Sequence, residues 1–203
     1  MQLQHIKAVV FDLDGTLVDS ALDFAAMCDD IGWPHGTPLL ETLAGVTDLA
    51  ERDRIEQIIC QHELHGARQA CWMPGAEECL QALIKADIPL ALLTRNMRAA
   101  TQLTIERLQI PIQRVLTRED CAAKPDPAGL LQFAAQLQLP VQQMIYVGDY
   151  IFDIQTAANA GMASCLYLNQ HNQHFATQAD WSFNHFNQLS AALLRQPNSS
   201  PVM

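Results

Sequence analysis

Five short apolar runs, none of them alternating with polar residues, narrow the folds open to this 203-residue chain to a few. AVVF lies within Lys7–Leu13, IPLALL spans Ile88–Leu93, and further runs cover Arg114–Leu116, Met144–Val147 (MIYV) and Ala163–Leu168 (ASCLYL). A strand that is apolar on both faces must be covered on both, which is the condition of a parallel sheet held between helices. The intervening segments supply those helices. Arg98–Leu108 places Ala99, Leu103 and Leu108 near one face, and Ala128–Leu137 places Leu130, Leu131, Ala134 and Leu137 at helical spacing. The alternation predicts an α/β fold with a doubly wound, mostly parallel, Rossmann-like sheet and active residues at the carboxyl ends of its strands.

One stretch interrupts the alternation. Residues 21–31 and 48–70 read as helices, joined through GWPHGTP and a short helix near Leu39–Leu43, with no strand signal. An all-helical insertion directly after the first strand predicts a small cap over the strand ends, with Met73-Pro74-Gly75 as the return. The expected organisation is an α/β core of residues 1–19 and 73–203 and a cap of residues 20–72. Beyond Asn169 the chain is rich in Gln, Asn and His, with a strand-like WSF at Trp181–Phe183 and a helix over 188–195. Residues 197–203 are expected to form a disordered tail. HNQH, at 171–174, reads as a solvated loop, because no ligand set converges on it by spacing.

A formal net charge of -10 disfavours nucleic acid and anionic membrane as partners. Any anionic substrate then needs a local positive cluster. The six cysteines are scattered, without a CxxC pair, which fits a reduced compartment and small buried side chains. The amino terminus runs directly into the first strand, without the segments of a signal peptide, and no apolar stretch reaches the roughly 20 residues a spanning helix needs. The expected location is the cytoplasm.

The chemistry gathers where strands end. Asp12 and Asp14 close the first run in FDLDGTLVDS, and a period of two points both carboxylates one way. Two neighbouring buried carboxylates call for a cation or a shared proton. Asp149 ends the MIYVGD run, and Asp153 follows one helical turn later. Together these oxygens suit Mg²⁺, a hard cation. Thr94 follows ALL, at a position that either caps a helix or receives a phosphate at its start. Of only three lysines, Lys7, Lys85 and Lys124, the last stands in a strand-to-helix loop and is the best candidate to neutralise a phosphoryl oxygen.

In order and context, Asp12-x-Asp14-Gly15-Thr16, Thr94, Lys124 and Gly148-Asp149-x-x-x-Asp153 resemble the four motifs of the haloacid dehalogenase superfamily. The helical insertion is similar to the cap of the subgroup containing phosphoglycolate phosphatase and β-phosphoglucomutase. The resemblance implies a phosphatase acting on a small phosphorylated metabolite. Asp12 would be the nucleophile, and Asp14 would protonate the leaving oxygen and then activate water. Mg²⁺ would be held by Asp12, the main-chain carbonyl of Asp14 and Asp149, with Asp153 in support. Thr94 and Lys124 would bind the phosphoryl group, and Lys124 would lie close to Asp12. Arg95 is expected to add positive charge beside the phosphate.

Residues 20–72 contain no lysine, which argues against a phosphonate hydrolase of the same resemblance, and Asp14 argues against a dehalogenase. Arg52, Arg54, His62, His65, Arg68 and the turn at Gly45 are the cap residues that could reach a substrate, although a solvated helix face is the simpler reading of each. A phosphomutase would share every core residue, and a non-catalytic binding domain could use the same fold.

Overall fold

The computed structural model describes residues 3–194, so Arg195 and the expected tail at 197–203 lie outside the described residues. Ala8–Phe11 (β1) is fully buried, as a strand covered on both faces must be. It pairs in parallel with Leu90–Leu93 (β4) on one side and Met144–Gly148 (β6) on the other. Arg114–Leu116 (β5) extends the sheet beyond β4, while Ala163–Tyr167 (β7) and Trp181–Phe183 (β8) extend it beyond β6. All five pairings are parallel, giving the order β5-β4-β1-β6-β7-β8. The winding reverses between β1 and β6, which places a crevice at the carboxyl ends of those two strands.

Alternating side chains of each strand enter two separate cores. Val9, Phe11, Leu92 and Val147 pack on one face against Ala76–Lys85 (α4) and Phe186–Leu194 (α8) through Leu80, Leu83, Phe186 and Leu189. Ala8, Val10, Leu93 and Tyr146 pack on the other against Ala128–Leu137 (α6) and Ile151–Ala160 (α7) through Leu130, Phe133, Ala157 and Ala160. Each fully buried Leu or Phe contributes roughly 1.5–3 kcal/mol of transfer free energy. The register therefore resists slipping.

Two helices turn faces that differ from their apolar pattern. Arg98–Leu108 (α5) buries Ala100, Thr101 and Thr104 rather than Ala99 and Leu103, because it lies between the sheet and the long insertion helix. α6 buries Phe133 and leaves Leu131 exposed.

The insertion consists of Phe24–Ile31 (α1), Leu39–Ala44 (α2) and Leu49–Gln69 (α3). Asp23 and Asp48 cap α1 and α3 by accepting from Ala26 N and Glu51 N. Met27, Cys28, Ile31, Leu39, Leu43, Ile55 and Ile59 form a third core, separate from the sheet. The expectation of no strand here needs correction. Val18–Asp19 (β2) pairs antiparallel with Cys71–Trp72 (β3), forming a two-stranded neck too short for sequence periodicity to reveal. No helix among the described residues is long and apolar enough to cross a membrane.

Candidate active site

β1 ends at Phe11, so Asp12 and Asp14 lie on the turn that follows the strand. Leu17 N and Val18 N both donate to Leu13 O, and Gly15 adopts φ +82°, a left-handed conformation that favours glycine. The two carboxylates consequently find different partners. Thr16 Oγ1 donates to Asp12 Oδ2 at 3.2 Å and approaches Asp149 Oδ1 at 3.4 Å. A Cβ on Gly15 would stand 2.6 Å from Asp149 Oδ2, so this glycine also makes room for the second acid.

β6 delivers Gly148 and Asp149 beside that turn, with Asp12 N donating to Val147 O at 2.8 Å. Asp153, in the first turn of α7, accepts from Tyr150 N at 3.0 Å and so closes the helix start. A Cβ on Gly148 would lie 2.2 Å from Asp153 Cγ, so the Gly-Asp pair is required for the helix to turn this tightly. Asp12, Asp149 and Asp153 each bring one carboxylate oxygen within 4.8 Å of the others.

Lys124, buried in the loop before α6, donates from Nζ to Asp12 Oδ1 and to Asp153 Oδ1, both at 2.6 Å. Tyr146 OH donates to Asp153 Oδ1 at 3.0 Å. Burial works against the ammonium, yet the two carboxylates hold its pKa above the ordinary lysine value. Burial pushes the Asp12 carboxyl up to about 7 against the lowering pull of Lys124, and pushes Asp149 up to about 8 with help from Asp12 and Asp153. One buried cation facing three carboxylates leaves the cluster short of positive charge. Oxygen donors, this charge deficit and the space kept by Gly15 fit a divalent cation.

Thr94 and Asn96 follow β4 and are buried. Thr94 Oγ1 accepts from Asn96 N at 3.1 Å, bending the chain before α5. Asn96 Nδ2 donates to Asp14 Oδ2 at 3.0 Å, while Asp14 Oδ1 is buried without a partner. Burial also raises the Asp14 carboxyl above the ordinary range, against the lowering influence of the neighbouring Ser20 and Asn96 side chains. Asp12 thus sits among charged partners and Asp14 among neutral ones.

The insertion meets the same loop. Arg95 donates to Glu41 Oε1 at 2.6 Å and lies 4.5 Å above the Phe152 ring, so its charge is engaged by the insertion and α7. Glu63 of α3 pairs with Arg118, and its Oε2 accepts from Met97 N at 3.1 Å. Of the anticipated cap residues, Gly45 caps the end of α2, Arg52 and Arg68 are exposed, Arg54 pairs with Glu51, His62 contacts Asp30 and His65 contacts Gln69. Each described pairing lies within the insertion itself.

Asn96, Glu63, Arg118, Asn169 and Asn172 were not anticipated from sequence as site residues. Asn169 Nδ2 reaches Asp149 Oδ2 at 3.4 Å, and Asn172 donates to Asp149 O at 2.7 Å and Tyr167 O at 2.8 Å. The HNQH segment is therefore solvated only in part. His171 and His174 are exposed, while Asn172 is buried against the end of β6. A polar residue flanked by solvated ones carries no local signal of burial, although two asparagines just past a buried strand were a clue.

A family model described as haloacid dehalogenase-like hydrolase matches residues 6–161. An uncharacterized hydrolase of Saccharomyces cerevisiae is 33% identical over 183 residues, covering 85% of this chain and 82% of that protein. N-acetylmuramic acid 6-phosphate phosphatase of Pseudomonas aeruginosa is 28% identical, with 79% of this chain and 81% of that protein covered. A phosphoglycolate phosphatase of Pseudomonas syringae pv. tomato is also 28% identical, at 83% and 71% coverage. Among solved structures, a haloacid dehalogenase-like hydrolase from Bacteroides fragilis superposes with a TM-score of 0.75 at 22% identity, covering 91% of this chain and 99% of that one. At such identity the likeness speaks to the fold alone.

Proposed function

The chain belongs to the haloacid dehalogenase-like hydrolase family, and from that premise we propose that it is a magnesium-dependent phosphatase of small phosphorylated metabolites in the cytoplasm, working through an aspartyl-phosphate. The observation that carries this reading is the division of labour between two aspartates two residues apart. Asp12 is bound to Lys124 within the carboxylate cluster, and Asp14 is held by Asn96 with one oxygen free of partners.

In this reading an Asp12 oxygen attacks phosphorus, the bond from phosphorus to the leaving oxygen breaks, and Asp14 gives its proton to that oxygen. Asp14 then takes a proton from water as the water attacks the aspartyl-phosphate, restoring Asp12 and releasing inorganic phosphate. A carboxyl held by a neutral amide suits the donor role, and a carboxylate paired with an ammonium suits the nucleophile. Thr94 and Lys124 would orient the phosphoryl oxygens, and Thr16 would steer Asp12. Asp12, Asp149 and the main-chain carbonyl of Asp14, with Asp153 in support, would hold Mg²⁺, which when bound supplies the positive charge that the phosphoryl oxygens require. The insertion would exclude water and select the leaving group. Phosphoglycolate and sugar-phosphate monoesters head the candidate substrates, in line with what the named relatives act on.

The test is phosphate release from a panel of monoesters and p-nitrophenyl phosphate, with and without Mg²⁺. Asp12→Asn is expected to remove magnesium-dependent release by at least about 10³-fold. Undiminished release by that variant overturns the reading, and isomerised product without phosphate release would turn it towards a phosphomutase.

A further inference from the structure

Glu63 is the only buried charged residue of the insertion among the described residues, and it lies where an apolar residue would continue the pattern. The inward stripe of α3 is Ile55, Ile59, Glu63, Gly66 and Ala67. Ile55 and Ile59 fill the insertion's own core. One turn later the helix has passed that core, and Glu63 faces the α/β domain instead. Gly66 fixes this approach, since a Cβ there would stand 2.8 Å from Ser20 O and 2.9 Å from Leu22 Cδ2 on the outgoing limb of the neck.

A buried carboxylate costs several kcal/mol unless ionic and hydrogen-bonding partners compensate it. Glu63 has both. Oε1 pairs with Arg118, whose Nη1 also donates to Arg95 O at 3.2 Å, and Oε2 accepts from Met97 N at 3.1 Å. Met97 N is shared with Asn96 Oδ1 at 2.9 Å, which leaves Asn96 Nδ2 directed at Asp14 Oδ2 at 3.0 Å. A continuous hydrogen-bonded path thus runs from the insertion to the second aspartate.

We propose that Glu63 is a positioning residue for the reaction. By holding Met97 N and Arg118 it sets the 94–97 loop, and through Asn96 it places the carboxyl of Asp14 against the leaving oxygen only while α3 is seated on the core. The inference rests on the assignment of Asp14 as the proton donor. It gives the insertion a part in the chemistry beyond covering the site, because substrate enclosure and proton donation become one event.

A purely structural role and a positioning role differ in their dependence on the leaving group. An alkoxide needs a proton as it departs, whereas p-nitrophenolate leaves without one, and kcat/KM counts only steps through that departure. The experiment measures kcat/KM for the fastest alkyl monoester of the panel and for p-nitrophenyl phosphate, with melting temperature followed in parallel. Glu63→Ala is expected to lower the alkyl-to-aryl ratio by on the order of 10²-fold, the scale of a displaced general acid. Glu63→Gln, which still offers an acceptor to Met97 N, should keep the ratio within about threefold of wild type. Should Glu63→Ala not fold, the double substitution Glu63→Met with Arg118→Met removes the buried pair without leaving a lone charge, and it should lower the ratio in the same way. Equal loss for both esters, or no loss, in a folded variant overturns this inference and leaves the phosphatase reading standing. A wild type inactive on every ester overturns both.

Discussion

The carboxyl edge of the sheet and the interior of the insertion are both buried, but they are filled by opposite kinds of side chain. At the sheet edge, Asp12, Thr94, Asn96, Lys124 and Asp153 are buried beyond the carboxyl ends of strands that are almost wholly apolar. In the insertion, aliphatic side chains, Met27 and Cys28 fill the core, and the one buried charge stands on the side facing the sheet. Apolar packing is the less costly way to stabilise an interior, so buried charges mark where stability has yielded to chemistry. Substitutions at the edge should therefore alter charge balance and reaction together. In the insertion's own core they should alter shape and leave the turnover of p-nitrophenyl phosphate in place.

The sharpest contrast comes from Lys124→Met and Ile59→Ala. The first leaves Asp12 and Asp153 without their shared cation, and should cost about 3–5 kcal/mol of stability at pH 8 without metal, with at least about 10³-fold of activity. The second opens a cavity in the insertion and should cost about 2–4 kcal/mol, while p-nitrophenyl phosphate turnover stays within roughly tenfold of wild type. Urea unfolding and steady-state assays read both. Equal loss of p-nitrophenyl phosphate turnover in the two variants would erase the distinction.

A second contrast is in pH dependence. Asp12 and Asp149 carry folded-state pKa values of about 7 and about 8, above those of an unfolded carboxyl. Between pH 6 and 8 the metal-free fold thus binds protons that the unfolded chain has already released. Stability contributed by these carboxyls is greatest at the acid end and declines as pH rises towards 8. Lys124, with its pKa raised, remains charged throughout and does not reverse the sign. In a chelator, the melting temperature should fall on the order of 5 °C across this interval, and millimolar Mg²⁺ at pH 8 should restore most of it. Asp149→Asn should flatten the profile, whereas Ile59→Ala should shift it without changing its slope. A profile that is flat in chelator and indifferent to Mg²⁺ would remove the carboxylate cluster from consideration as a metal site.

The two regions were also unequally legible in the sequence. Apolar runs identify five of the six sheet strands, and WSF marks the sixth, because burial in a parallel sheet leaves a dense local signal, weakest at the edge strand β5 with its exposed Arg114. The acids at strand ends stand out for the same reason, as polar residues where an apolar run stops. The second aspartate was legible by type but not by partner. On the turn at Gly15, Asp14 accepts from Asn96, 82 residues away, and no local period foresees such a contact. Glu63 and Arg118 were not legible at all. They are 55 residues apart, each in a setting where a solvated charge is the ordinary expectation, and only the seating of α3 joins them. The two-stranded neck escaped because two residues have no measurable period.

Arg95 gives the smallest effect and the finest division between the regions, because it belongs to the core and is held by the insertion. Sequence places it directly after Thr94, where a cation could serve a phosphate, whereas the structure ties it to Glu41 with Phe152 beneath. The Arg95 side chain is 20% exposed and that of Glu41 is 43%, so solvent screens the pair and its net worth is about 0.2–1 kcal/mol. Arg95→Ala should therefore lower stability by less than about 1 kcal/mol. If Glu41 keeps its partner during turnover, KM for p-nitrophenyl phosphate should change by less than about threefold and kcat should hold, since a neutralised guanidinium offers little to a phosphate. A rise in KM of roughly 30-fold or more would mean that Arg95 abandons Glu41 for the substrate. In that event Glu41→Gln should have the opposite sign and lower KM, because removing the competitor frees the cation. The pair of variants thus decides whether the contact across the seam is a fixed strut between the regions or a charge that the substrate must win from the insertion.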